Sequence, residues 1–278
     1  MVDSYHCGVV EGARFHKKSS RDKPGGASNV TANCEALLGV KFHVDQILRV
    51  EDLNPGKRPW TMNYFVDENM KVVFEHPEQM MLEAGSYYWR EQLRWLTQLQ
   101  EITSRVIILS DYDKGALNGD LPLRFERGIR CDVVVVDSRY RSINPKILKS
   151  ISGLKIWHAT GDELDLEWGQ EMGFDHIVHT NGPDAVVLYE SLLRYKPLTP
   201  ARKGWDARFR LDVPDTEVVN ACGAGDTMVA AIASWYMVND RAPYNDRLNE
   251  AVRFGIDCCQ NVIRTPFTSV AYLTIPNA

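Results

Sequence analysis

The sequence lacks any long hydrophobic run and any excess of positive charge. No apolar stretch approaches the ~18 residues that a membrane-spanning helix needs, although 44% of the 278 residues are hydrophobic. The formal net charge is −5, which provides no general attraction to nucleic acid or to an acidic membrane surface. No signal peptide precedes Asp3. We therefore expect a cytoplasmic protein with neither a nucleic-acid partner nor a membrane partner.

Metal-binding spacings are also missing from the chain. The six cysteines include no Cys-x-x-Cys pair, and the seven histidines are scattered without the spacing of metal ligands. The adjacent Cys258 and Cys259 are most simply interpreted as two small buried residues on a helix. We expect a reduced protein without structural zinc.

A glycine-rich turn before an apolar helix is the most informative segment. Residues 220–226 read Asn-Ala-Cys-Gly-Ala-Gly-Asp, and an apolar run begins at Met228. Such a turn presents backbone N–H groups at the positive end of the helix dipole, where a phosphate or a developing oxyanion binds. Asp226 is then a candidate general base for an attacking hydroxyl. A simpler alternative is that Gly223 and Gly225 only make a tight turn and Asp226 only caps the helix.

Strand and helix patterns predict an α/β fold. Continuous apolar runs at residues 106–109 and 131–137 are typical of buried parallel strands. Alternating β and α segments continue to residue 190, which favours a doubly wound parallel sheet. A hairpin is predicted over residues 60–75. Helices are predicted over residues 29–38, ended by Gly39, and over residues 87–103, 228–238 and 248–262.

Three segments together resemble one protein family. Residues 220–226 resemble the Asp-x-x-Gly-Ala-Gly-Asp signature of the ribokinase/PfkB family of sugar kinases, with Asn220 in place of the leading Asp. Residues 24–30, Pro-Gly-Gly-Ala-Ser-Asn-Val, resemble a second family motif, and residues 109–117 are similar to the kinase domain that phosphorylates heptose 7-phosphate. Three motifs in the family's order are more specific than any one of them.

The resemblance implies a ribokinase-like α/β fold, a doubly wound mainly parallel sheet flanked by helices, in a single domain over residues 1–278. A small β lid is expected roughly at residues 40–80, where the family places a cover over the sugar and often a homodimer surface. Residues 1–23 are interpreted as a short polar segment with a basic loop. The family's first strand is therefore expected to be absent or replaced by a rebuilt sheet edge.

The resemblance also implies an ATP-dependent kinase that uses Mg²⁺ and acts on a sugar or sugar phosphate. Asp226 would accept the proton of the attacking hydroxyl, while the turn formed by Gly223, Ala224 and Gly225 stabilises the transferred phosphoryl group. Implied sugar-binding residues are Asp3, Gly25, Gly26, Asn29, Asp111 and Lys114. Implied nucleotide-binding residues are Asp137, Arg139, Thr180, Gly182, Gly223 and Gly225, and Glu163 is implied beside the magnesium ion.

Several of these residues have a structural alternative, and the chain departs from the family pattern. Asn29 also suits a helix N-cap, and Asp111 with Lys114 also suits a salt-bridged loop. Departures from the family are Asn220, Thr160 in the Asn-x-x-Glu motif, Asp184 at an expected glycine, and Met62 near the lid's usual basic residue. The competing hypotheses are a degenerate protein that binds a sugar, a nucleotide or a protein partner without catalysis, and a kinase for another sugar or a nucleoside. The intact Gly-Ala-Gly-Asp segment favours catalysis.

Overall fold

The computed structural model describes eleven segments of the chain. They are residues 2–11, 14–24, 26–39, 61–66, 72–78, 105–111, 129–138, 143–192, 204–239, 244–267 and 270–275. The helix predicted over residues 87–103 lies outside them, as do Gly25, Lys114 and Arg139. Among the described segments, no helix combines the length and the apolar character needed to cross a membrane.

A four-stranded sheet forms one part of the molecule. Its strands are β1 (Val2–Glu11), β2 (Arg14–Pro24), β3 (Thr61–Val66) and β4 (Val72–Glu78), in the order β2-β1-β3-β4. Strands β3 and β4 pair antiparallel, so the predicted hairpin is confirmed. Strand β1 pairs antiparallel with β2 and parallel with β3.

The structure corrects the interpretation of residues 1–23 as a polar segment with a basic loop. Residues 14–24 form a strand, and Asp3 lies inside strand β1 of the four-stranded sheet. A polar segment becomes a strand when a neighbouring strand supplies backbone hydrogen-bond partners, because β propensity depends strongly on context. The sheet that contains the predicted hairpin therefore also includes residues 2–11 and 14–24.

A six-stranded sheet forms the other part and confirms the α/β class. Its order is β10-β9-β8-β7-β6-β5, with β5 to β8 parallel to one another, β9 antiparallel to β8, and β10 antiparallel to β9. The strands are β5 (Val106–Asp111), β6 (Ile129–Ser138), β7 (Ile151–Thr160), β8 (His176–Thr180), β9 (Val186–Ser191) and β10 (Trp205–Leu211).

Helices pack on both faces of this sheet. They are α1 (Ala27–Leu38), α2 (Pro145–Ser150), α3 (Leu166–Glu171), α4 (Ala224–Val238) and α5 (Tyr244–Ile263), with a 3₁₀ turn at Gly161–Glu163. Val133 and Val135 of β6 join one core with α1, α4 and α5, whereas Val134 and Val136 join a second core with α2 and α3. This alternation follows from the two-residue side-chain period of a strand.

The direction of α4 relative to the sheet determines where a ligand can approach. Arg105, at the start of β5, donates from Nη1 to the carbonyl oxygen of Met237, near the end of α4, over 3.2 Å. Helix α4 therefore runs antiparallel to the strands. Its N-terminus lies at the carboxyl edge of the sheet, the edge at which open α/β proteins bind their ligands.

Candidate active site

The glycine-rich turn builds the N-terminus of α4. Gly223 is the N-cap residue, with φ 83° and ψ 2°, a left-handed conformation that glycine adopts at little cost. Both the N–H and the Oγ1 of Thr227 donate to the Gly223 carbonyl over 2.9 Å. Ala224 and Gly225 begin the helix, and Asp226 is its third residue. Gly223 occupies the N-cap position and Asp226 lies three residues further along, so Asp226 is not the N-cap residue.

Asn220, which departs from the family signature, shapes the same turn. Its Oδ1 accepts from the backbone N–H of Cys222 over 2.9 Å, and its Nδ2 donates to the carbonyl of Pro266 over 3.4 Å. Its backbone N–H donates to the carbonyl of Ile263 over 3.0 Å. An aspartate could accept from Cys222 in the same way, although it could not donate to Pro266. The substitution therefore preserves the turn that precedes Gly223.

Asn29 and Asp226 come together from opposite ends of the sequence. The Nδ2 of Asn29 donates to Oδ2 of Asp226 over 2.9 Å across a separation of 197 residues. Both side chains are buried, with 2% and 4% exposure. Asn29 is not the N-cap of α1 as the alternative interpretation held, because Gly26 occupies that position with φ 53°. The structure thus joins a predicted sugar-binding residue to the predicted general base.

Asn33 supports this pair and was missed from the sequence. It is fully buried, and its Nδ2 donates to the carbonyl oxygen of Asn29 over 3.0 Å and to Asn29 Oδ1 over 3.2 Å. Its Oδ1 accepts from Thr227 Oγ1 over 3.3 Å and from the backbone N–H of Ala271 over 3.0 Å. Residues four apart share a helix face. An asparagine four positions after Asn29 was the available signal.

A second polar set lies where the parallel strands end. Ser110, Asp137 and His158 are direct register partners on β5, β6 and β7, and Val178 of β8 pairs with His158. Thr180 lies two positions beyond Val178, on the same face. This face carries α4, because the residues two positions earlier on each strand contact the α4 core.

Asp137, His158 and Thr180 form a continuous hydrogen-bonded chain. Nδ1 of His158 lies 3.1 Å from Oδ1 of Asp137, and Nε2 lies 3.1 Å from Oγ1 of Thr180. Asp137 and His158 are 6% and 1% exposed. Oδ2 of Asp137 and Oγ of Ser110 are buried and have no hydrogen-bond partner among the described residues. Sequence reasoning missed His158, because a histidine at the end of an apolar strand has no recognisable spacing.

Two other predicted sugar-binding residues, Asp3 and Asp111, lie in the four-stranded sheet and at the end of β5. The backbone of Asp3 pairs with Lys23 and Met62 on its two sides. Lys23 lies three residues before Gly26, the N-cap of α1. Asp3, which pairs with Lys23, therefore lies on the strand beside the one that leads into this helix. Asp111 is the last residue of β5. Gly25 and Lys114 lie outside the described residues, and their predicted roles stay predictions.

The predicted nucleotide and magnesium residues follow β7 and β8. Gly182, with φ 55°, lies in the exposed turn after β8. Asn181 Nδ2 donates to Asp184 Oδ2 over 2.8 Å and so closes this turn at the position of the expected second glycine. Glu163 is half-buried in the 3₁₀ turn that follows β7.

Two further observations bear on the chemistry of the site. Among the described residues, no group of three or more histidine, cysteine or acidic side chains could hold a metal ion. A single carboxylate such as Glu163 suits Mg²⁺, which keeps several waters and binds substrate phosphates.

Beneath the turn, Cys259 Sγ lies 3.2 Å from the Ala224 carbonyl. Burial raises the pKa of this thiol, so it stays a protonated donor to that carbonyl.

Comparisons with known proteins agree with this geometry. Residues 131–273 match the family model described as pfkB family carbohydrate kinase. The fold is similar to phosphofructokinase-2 from Escherichia coli in complex with potassium, with 15% identity, a TM-score of 0.59, and coverage of 98% of this chain and 92% of that one. It is also similar to ribokinase from Thermotoga maritima, with 13% identity, a TM-score of 0.57, and coverage of 98% and 93%. No curated protein matches the sequence.

Proposed function

The chain belongs to the pfkB family of carbohydrate kinases and is a sugar kinase, and we propose that it transfers the γ-phosphate of ATP to a hydroxyl of a sugar or sugar phosphate. The observation that carries this proposal is the buried hydrogen bond between Asn29 and Asp226. It joins the family's sugar-side motif to its phosphoryl-side motif at the N-terminus of α4. Both motifs therefore serve one site.

Asp226 accepts the proton of the attacking hydroxyl in this mechanism. The amide of Asn29 donates to Oδ2 of the carboxylate, which orients the group and stabilises its negative charge. The hydroxyl oxygen forms a bond to the γ-phosphorus while its proton passes to Asp226. The bond from the γ-phosphorus to the bridging oxygen breaks, and ADP leaves. A well-placed general base of this kind contributes roughly 10²- to 10⁴-fold in rate.

The first turn of α4 stabilises the charge on the transferring phosphoryl group. Backbone N–H groups at the start of a helix have no intrahelical acceptor and point toward an incoming anion. The left-handed Gly223 brings this backbone into the turn without a side chain in the way. Mg²⁺ would supply positive charge to the ATP phosphates, and Glu163 is the described carboxylate whose chemistry suits it.

The nucleotide phosphates are proposed to lie along the ends of β6 and β8. Asp137 and Thr180 face the α4 side of this edge, and the exposed Gly182 turn follows directly. Arg139, outside the described residues, remains part of the proposal as a replacement for the family's lysine. Thr180, a half-buried residue at the end of β8, is proposed to contact a phosphate through its hydroxyl.

Two features of the sequence bear on which sugar the protein phosphorylates. The similarity of residues 109–117 to heptose 7-phosphate kinases favours a heptose phosphate, with Asp111 at the end of β5 beside the strand that carries Asp137. Met62, opposite Asp3 in the lid sheet, provides no positive charge for a sugar phosphate, which favours an unphosphorylated sugar instead. A homodimer through the lid sheet, whose edge strands are β2 and β4 among the described residues, is proposed as the assembly.

A substrate panel tests the proposal. ATP consumption with Mg²⁺ is measured on sugars and sugar phosphates, heptose 7-phosphate included, with Asp226→Asn as the matched variant. We expect turnover on at least one panel member and its loss in the variant. Absence of turnover on every sugar, together with no ATP binding in calorimetry, would contradict the proposal and favour a non-catalytic protein.

A further inference from the structure

His158 has no part in the transfer described above, yet it lies buried between two proposed nucleotide-binding residues. Both ring nitrogens are engaged, Nδ1 with Asp137 and Nε2 with Thr180, each over 3.1 Å. We propose that His158 is a positioning residue that sets the hydrogen-bond direction of the Thr180 hydroxyl, so that binding of a nucleotide polyphosphate is coupled to uptake of one proton by the ring. This inference rests on the proposed function, in which Thr180 faces a phosphate.

The direction of each hydrogen bond follows from the donors and acceptors present. An ionised carboxylate only accepts, so Nδ1 of His158 carries a hydrogen toward Asp137. In the neutral ring, Nε2 then has only a lone pair and takes the hydroxyl hydrogen of Thr180. The Thr180 oxygen turns only lone pairs outward. Phosphate oxygens also accept, so this state offers a phosphate no hydrogen bond.

Protonation of the ring reverses the second hydrogen bond. Nε2–H now donates to Thr180 Oγ1, and the hydroxyl hydrogen becomes available to a phosphate oxygen. The proton comes from solvent and resides on Nε2. Because only the protonated state offers this hydrogen bond, nucleotide binding and protonation favour each other by the same free energy.

Among the described residues, the charged group that contacts this ring is a carboxylate. Asp137 approaches from β6, and its Oδ2 is buried without a partner among the described residues. Asp226 lies at the same edge in the first turn of α4. The neighbour of the ring from β8, Thr180, is neutral, as is Ser110, the register partner of Asp137 on β5. Asp137 therefore supplies the counter-ion that a buried protonated ring requires.

Proton uptake is measured by calorimetry on the full chain. A non-hydrolysable ATP analogue with Mg²⁺ is titrated in buffers of different ionisation enthalpy. We expect the wild-type protein to take up a substantial fraction of one proton, and its Kd for the analogue to rise with pH by up to about tenfold per pH unit. His158→Gln retains an N–H donor near the Nε2 position but cannot titrate. It should bind the analogue with no proton uptake and a flat pH profile.

Two further variants complete the test. Thr180→Val leaves the ring in place and should also abolish the uptake. His179→Gln is the matched control, because His179 neighbours Thr180 in β8 while its Nε2 donates to the Gly161 carbonyl over 2.7 Å; it should keep the uptake. Binding without uptake, or equal uptake in wild type and His158→Gln, would overturn the inference and leave the proposed function standing. Absence of nucleotide binding in the wild-type protein would overturn the proposed function itself.

Discussion

Two polar groups of residues meet at the carboxyl edge of the large sheet, and they are built in different ways. The Asp226 cluster, formed by Asp226, Asn29, Asn33 and Thr227, joins the first turns of helices α1 and α4. The Asp137 row, formed by Asp137, His158 and Thr180, joins the ends of three parallel strands. The cluster depends on helix packing, whereas the row depends on strand register.

The two groups also differ in how completely the protein hydrogen-bonds their buried polar atoms. In the Asp226 cluster, Asn33 uses both ends of its amide, with partners in α1, in α4 and at Ala271. In the Asp137 row, one carboxylate oxygen of Asp137 is buried without a partner among the described residues. A satisfied buried network stabilises a fold, while an unsatisfied buried oxygen indicates a place for a ligand or water. We therefore expect the Asp226 cluster to serve the chemical step and to stabilise the fold, and the Asp137 row to bind a ligand.

Substitutions of the two carboxylates, Asp226 and Asp137, should differ strongly in their effect on kcat. Asp226→Asn should lower kcat by about 10³-fold, because it removes the proton acceptor. Asp137→Asn should change kcat by about threefold or less, because Asp137 acts through His158 on nucleotide binding and not on the proton transfer. Steady-state kinetics on the sugar found by the panel measures both. Sugar binding by calorimetry, unchanged in Asp226→Asn, is the control. Equal losses in the two variants would mean that the row and the cluster share the chemical step.

The Asp226 cluster should also contribute measurably to the stability of the fold. Asn33→Ala should lower the free energy of unfolding by about 3 kcal/mol, because it leaves the Ala271 N–H without its acceptor and the Asn29 side-chain oxygen without its donor in a buried site. The matched control is Asn181→Ala, whose exposed hydrogen bond to Asp184 should contribute about 0.5 kcal/mol or less. Urea unfolding followed by circular dichroism measures both. Similar values for the two variants would show that the cluster adds no special stability.

The two groups should also separate by substrate. Asn29→Ala should raise KM for the sugar about tenfold, and Thr180→Val should raise KM for ATP about tenfold, since each removes a hydrogen bond to a charged or polar partner. The other KM should change by about twofold or less in each variant. Initial rates with each substrate varied in turn provide the four values. If both variants raised both constants alike, the assignment of the cluster to the sugar and the row to the nucleotide would be wrong.

The smallest effect concerns the buried thiols behind the Asp226 cluster. Burial raises the pKa of Cys34 to about 11 and that of Cys258 to about 12, from an ordinary value of 9.0. As pH rises above about 9, the unfolded chain loses these protons before the folded protein does, so stability falls. The double variant Cys34→Ala with Cys258→Ala should lose less stability than wild type between about pH 8 and about pH 10.

Urea midpoints at the two pH values measure this difference. Cys131, on strand β6 of the row, provides the comparison within the same chain. Its pKa is also raised by burial, but its side chain is only half-buried. Cys131→Ala should therefore flatten the pH dependence less than the double variant does. If Cys131→Ala flattened the pH dependence more than the double variant did, the prediction that the more deeply buried thiols, Cys34 and Cys258, cause most of it would be wrong.

Much of the fold followed from local sequence patterns. The strands that contain residues 106–109 and 131–137 are confirmed, because continuous β-branched and apolar runs are typical of strands covered on both faces. Helix α1 ends at Gly39, which has φ 65° as a left-handed C-cap. Strand β2 was missed because its residues are polar, and its strand conformation comes from pairing with β1. Strand pairing of that kind cannot be recognised from the amino-acid composition of the segment.

Local sequence specified the glycine-rich turn before α4, because the conformation of Gly223 and the start of the helix depend on neighbouring residues. It also determined, through the family resemblance, that Asn29, Asp137, Thr180 and Asp226 were candidates. Only the tertiary structure decided which of them meet. Asn29 reaches Asp226 across 197 residues through helix packing, and His158 lies between Asp137 and Thr180, 21 and 22 residues away, through strand register. Packing and register are long-range properties, so no local pattern could specify these contacts.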